Sequence, residues 1–135
     1  MRDVSIGQPD GYRVRLCVAE LDPDEGLDTF IVQVHAEDLF AFARVEFVDL
    51  SLLADYFEDL ARDWRGWEGT RTWKSGVGLD IEAVQDRPGY NRLRFTIDDA
   101  FPASWSITLD IDVEAGEQMA RIARDARAFV PSRTT

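Results

Sequence analysis

One histidine and one cysteine in 135 residues leave this chain poor in the side chains on which most protein chemistry depends. His35 alone cannot assemble a histidine-based metal cluster, and Cys17 alone cannot close an internal disulfide. No apolar run approaches the roughly 18 residues that a membrane-crossing helix needs, and the N-terminus lacks the basic-then-apolar stretch of a secretory leader. Phosphate loops are missing too: Gly66-Trp67-Glu68-Gly69 and Gly76-Val77-Gly78 lack the lysine and the following helix that cradle a nucleotide. Basic residues are in deficit, 15 Lys and Arg against 26 Asp and Glu, so the net charge of −11 repels nucleic-acid phosphates and anionic lipid. These absences predict a soluble protein of the reducing cytoplasm that binds neither nucleic acid nor membrane and needs no cofactor or metal ion.

What is present is ordinary globular material, 45% hydrophobic and 30% charged, in a length that suits one core without disulfide or metal support. A single α+β domain over residues 1–130 is expected, with residues 131–135 as a flexible tail beyond the helix-stopping Pro131.

Hydrophobic periodicity divides that domain into elements. A short edge segment precedes the turn residues Gly7, Pro9 and Gly11. Tyr12, Val14, Leu16 and Val18 then alternate with Arg13, Arg15 and Cys17, which predicts a strand with Cys17 on its outer face. After the Pro23-containing turn at 21–26, Phe30, Val32 and Val34 mark a second strand carrying His35 outside. A third follows, with Ala41, Ala43, Val45 and Phe47 opposing Phe40, Phe42, Arg44 and Glu46. The spacing changes at Asp49: Leu53, Tyr56, Phe57, Leu60 and Trp64 fit one face of a helix capped by Asp49 or Ser51 and stopped near Gly66. About four further strands follow, from Thr70 to Val113, with apolar sets Leu79/Ile81/Ala83, Leu93/Phe95/Ile97 and Trp105 to Val113. The segment 114–130 returns to helical spacing through Met119, Ile122, Ala123, Ala126 and Phe129. Short connections favour antiparallel pairing. The predicted architecture is one antiparallel sheet of about six to eight strands with both helices on one face, in the order strands, helix, strands, helix.

Candidate chemistry is thin. The spacing of Asp22 and Asp24 starts like a calcium loop, but Gly26 is one place early and the twelfth position is Gln33. The pairs Asp80/Glu82 and Asp110/Asp112 read as solvated outer faces, because they alternate with apolar residues, and the adjacent Asp98 and Asp99 open a loop. Cys17 and His35 lie on the outer faces of strands that can be neighbours, yet nothing adjacent in sequence would depress the thiol pKa. No catalytic residue is assigned. The most unusual stretch is Trp64 to Trp73, W-R-G-W-E-G-T-R-T-W, which holds three of the four tryptophans and forms a small basic island. Trp64 is expected to seal the first helix against the sheet together with Trp67 or Trp73. Trp67, set between Gly66 and Gly69 with Arg65 and Arg71 nearby, is also placed to be an exposed anchor of the kind enriched at interfaces.

The run L-A-R-D-W-R-G-W-E-G-T-R-T-W, the strands L-D-I-E-A and W-S-I-T-L-D-I-D and the helix V-E-A-G-E-Q-M-A-R-I-A resemble a family of small bacterial proteins of unknown function. In layout, and more distantly, the chain is similar to the immunity proteins that neutralise wall-associated contact-dependent toxins. The resemblance spans roughly Leu50 to Phe129. The first family implies no activity; the second implies a binding protein. Two functions follow as expectations. One is a non-catalytic protein-interaction module whose acidic surface meets a basic partner such as a toxin, with Asp55, Glu58, Asp59 and Asp63 of the first helix and Arg65, Trp67 and Arg71 as contact candidates. The other is a small-ligand-binding domain using the concave face of the sheet near Trp67, Arg71 and Trp73. The sequence sets no oligomeric state.

Overall fold

A computed structural model describes residues 3–8, 11–21, 24, 26–99 and 104–131. The elements run β1 (Val4–Gly7), β2 (Arg13–Glu20), β3 (Asp28–Ala36), β4 (Leu39–Phe47), α1 (Ser51–Arg62), β5 (Arg71–Lys74), β6 (Leu79–Arg87), β7 (Tyr90–Asp98), β8 (Ser106–Glu114) and α2 (Glu117–Phe129). Each half is therefore a four-stranded meander followed by a helix. The antiparallel pairing is as expected, but the single sheet is not: β1-β2-β3-β4 and β5-β6-β7-β8 are two separate four-stranded sheets. Alternation specifies which face of a strand is apolar and leaves open which edges meet, so it could not distinguish one sheet from two. Among the described residues the backbone ladder between β4 and the second half is one bridge, Glu46 to Val77, in which the Glu46 amide donates to the Val77 carbonyl at 3.4 Å. Gly78 makes that approach possible. Its φ is +101°, and a Cβ there would lie 2.6 Å from the Arg44 carbonyl oxygen.

One core joins all the layers. The inner faces contribute Val14, Leu16, Phe30, Val32 and Val45 from the first sheet and Ile81, Leu93, Phe95 and Val113 from the second. Leu53, Phe57 and Leu60 of α1 and Met119, Ile122 and Phe129 of α2 complete it. The helices pack along each other, Phe30 meets Phe129 edge-on at 5.8 Å, and α2 also rests on β1 and β8. The alternation of β2 breaks where its register with β3 shifts between Cys17 and Glu20. Val18 takes φ +56° there and turns outward, while Ala19 is buried in its place.

Polar groups fix the helix starts. Asp28, fully buried at the head of β3, accepts the Leu50 amide at 2.9 Å, and Asp49 accepts both the amide and the hydroxyl of Ser51. Before α2, Glu114 accepts the amides of Gly116 and Gln118 while the Gln118 side chain accepts the Glu114 amide, a reciprocal cap. The expected turn at 21–26 and tail at 131–135 fall largely outside the described residues.

Candidate functional site

The tryptophan stretch is ordered differently from its helical spacing. α1 ends at Arg62; Asp63 leaves helical geometry at ψ 47°, so Trp64 is swung off the apolar stripe. Trp64 is 53% exposed, with the Arg65 guanidinium 4.9 Å from its ring centre. The expectation that Trp64 belongs to the core is thus corrected, and its neighbour takes the role. Trp67 packs partly buried against the core, its ring covered by the Arg71 guanidinium at 4.8 Å. Trp73 is buried and stacks on Phe47 at 4.8 Å. Gly66 closes the joint: at φ +113° its Cα faces Gln85, whose amide donates to the Trp64 carbonyl and to Asn91 Oδ1. Tyr56 ties in from α1 by donating to the Arg71 carbonyl at 2.9 Å, and burial holds its phenol well above the ordinary range.

The acids proposed as partner contacts are engaged within the chain. Arg127 of α2 holds both Asp55 and Glu58. Arg62 pairs with Asp59 at 2.8 Å, and Arg71 with Asp63 at 2.6 Å. Arg127 keeps the Glu58 carboxyl below the usual range by hydrogen bonding, and Glu58 with Asp55 raises the guanidinium in return. Four carboxylates therefore meet three guanidiniums, and their geometry ties α1 to α2 and to β5.

Other sequence candidates do not converge. Cys17 lies opposite Ile31 and His35 opposite Arg13, so four ladder positions, about 13 Å, separate thiol strand position from imidazole. Burial raises the Cys17 pKa and lowers that of His35, the reverse of an activated pair. Asp110 is held by Arg94 and Asp112 by Arg92 and Arg87. Asp99 accepts the backbone amides of Ser104 and Trp105. A cleft of about 210 Å³ is lined by Thr70, Glu82, Val84, Arg92 and Arg94, and a larger one of about 410 Å³ lies between Gln8, Gly11 and Tyr12 on one side and Arg92 and residues 110–112 on the other; neither is lined by Trp67, Arg71 or Trp73.

The outer face of the first sheet is the feature that sequence reasoning passed over. Phe40 and Phe42 are 57% and 59% exposed on β4. Across the ladder, Phe40 faces His35, which faces Arg13, and Phe42 faces Gln33, which faces Arg15. The His35 and Phe40 rings meet at 4.8 Å and the two phenylalanines at 6.1 Å. Arg44 stands exposed beside them. The signal was present in the sequence: in 39–47 two of the three phenylalanines share a phase with Arg44 and Glu46, whereas the inner phase at the same level holds the small Ala41 and Ala43.

These features define an antiparallel α+β protein whose unusual residues are aromatic and arginine side chains at its surface, with no convergent base and nucleophile among the described residues. The chain belongs to the Family of unknown function (DUF6228), which matches residues 6–133. A comparison with curated proteins finds no match. Among the described residues no helix is long and apolar enough to cross a membrane.

Proposed function

We propose that this chain is a non-catalytic protein-interaction module that docks through the outer face of its first sheet. The observation that carries the reading is the exposure of Phe40 and Phe42 side by side, flanked by His35, Arg13 and Arg44. Exposed aromatic and arginine residues together are the composition enriched at interfaces, and a solvated sheet face has no folding reason to carry them. The net charge of −11 adds long-range attraction for a basic protein, and the immunity-like form of the reading makes that protein a toxin. This choice of partner rests on the net charge alone and not on the docking face, whose charged side chains around Phe40 and Phe42 are Arg13, Arg15 and Arg44. The acids of α1 add little to it, because Arg127, Arg62 and Arg71 already pair with them.

The test is a pull-down from extract of the source cells, with wild type and Phe40→Ser/Phe42→Ser as baits, at low and high salt. The expected result is a basic protein retained by wild type, weakened by salt and lost with the double variant. Identical protein sets on both baits would overturn the docking face. A partner that is neutral or acidic, or whose binding ignores salt, would remove the basic-partner reading.

A further inference from the structure

β4 is an open edge. Of the four strands at sheet margins, β1 and β5 have four residues each, β8 has nine and lies against β1, and β4 has nine in unbroken register with β3. Natural proteins blunt such edges with proline, bulges, lysine or brevity, and β4 carries none of these. The Glu46 amide points away from β3, toward Val77. Backbone groups alternate along a strand, so those of Arg44, Phe42 and Phe40 point to the same outer edge. Among the described residues, Val77 and Gly78 reach only the 44–46 end of it.

From this we infer that the β4 edge binds the β4 edge of a second copy of this chain, antiparallel, with the two-fold axis at Ala41. The sequence of the edge is self-complementary in that register alone. Phe40 then pairs with Phe42 of the other copy and Leu39 with Ala43, and at each end of this short ladder, where Gly78 already lies against the Arg44 carbonyl, only the side chains of Asp38 and Arg44 meet. Asp38 and Arg44 are exposed, and neither has an ion pair among the described residues, so they meet as opposite charges with no competing partner. Moving the axis one residue, to Phe42, sets Asp38 against Glu46 and Arg44 against Phe40, which brings like charges together. The pairing that the axis at Ala41 gives is the aromatic and opposite-charge kind that stabilises neighbouring strands. Leu39, 44% exposed, is covered in the same step. The two sheets become one continuous sheet of eight strands, and its outer face remains open with both copies of Phe40 and Phe42 on it. The dimer goes beyond the proposed function and rests on the same exposed strand being an interface.

Sedimentation equilibrium of the full chain across micromolar to millimolar concentrations tests it, with far-UV circular dichroism to verify that each variant is folded. Wild type should dimerise. Asp38→Arg and Arg44→Asp should each raise the dissociation constant at least about fivefold, because each places like charges opposite one another twice per dimer. The double reversal D38R/R44D should restore it to near the wild-type value. A wild type that stays monomeric throughout overturns the inference, and so does a dimer indifferent to the single reversals or not rescued by the double one. The pull-down reads a different protein, so a monomer that still captures its partner through Phe40 and Phe42 refutes the dimer while leaving the interaction module in place.

Discussion

The two sheets have the same inner logic and different outer faces. On the second sheet, Arg94 grips Asp110 with two bonds of 2.8 and 3.1 Å, Arg92 meets Asp86 at 2.9 Å, Arg87 and Arg92 share Asp112, and Thr96 faces Thr108. Arginine and carboxylate alternate there, as solvation requires. On the first sheet, Arg15 pairs with Asp3, but Ile31, His35, Phe40 and Phe42 interrupt the charge and Arg44 has no ion pair among the described residues. Both halves are a meander and a helix around one core, so folding asks the same of each. A difference confined to the face that folding does not constrain points to binding.

Removing the seam between the halves should have the largest effect. Gly78→Ala puts a Cβ 2.6 Å from the Arg44 carbonyl at φ +101° and should cost about 3 kcal/mol, read as a lower urea midpoint. Next comes the face itself. Phe40→Ser/Phe42→Ser should cost about 2 kcal/mol or more in association while changing unfolding stability by only about 0.5 kcal/mol, since both rings are exposed. The matching change on the second sheet, Glu82→Ser/Thr96→Ser, should leave association unmoved, and equal losses from both would erase the contrast.

Smaller effects decide where the acids of α1 belong. Arg127→Leu should lower stability by at most about 1 kcal/mol, because the pair with Asp55 and Glu58 is largely solvent-exposed and screened. Asp55→Asn and Glu58→Gln should leave partner capture unchanged if these acids are internal ties. The smallest effect is its pH dependence. Glu58 has a lowered pKa in the folded chain, so its contribution is present above the unfolded carboxyl pKa and fades as pH falls through the folded one. Wild type and Arg127→Leu should therefore converge in stability as the solution is acidified through that window.

Much of the fold was legible, for identifiable reasons. Period-two runs such as Phe30/Val32/Val34 and Leu93/Phe95/Ile97, and the helical set Met119/Ile122/Ala126/Phe129, are buried as their spacing requires. The division into two sheets was not legible, because alternation marks faces and not which edges pair, and the one place where the halves meet edge to edge, Gly78 against Arg44, is a long-range contact without a local signature. Trp64 misled because helical spacing was extended one turn past Arg62, whereas the chain had already turned toward Gly66. Val18 misled because a bulge reverses the alternation within one residue. At the candidate site the tryptophans stand out by rarity and the acids by number. Phe40 and Phe42 carry no such mark, because both phases of their strand contain large apolar residues.

The central claim is that the first sheet ends in an edge and face built for contact. Amide hydrogen exchange of Phe40 and Phe42, followed by NMR over increasing protein concentration, tests it most directly. The amides of these residues point away from β3, so they should exchange fast in dilute solution and gain protection as concentration rises, while those of the β7–β8 ladder stay constant. Exchange at Phe40 and Phe42 that is equally fast at every concentration would contradict it.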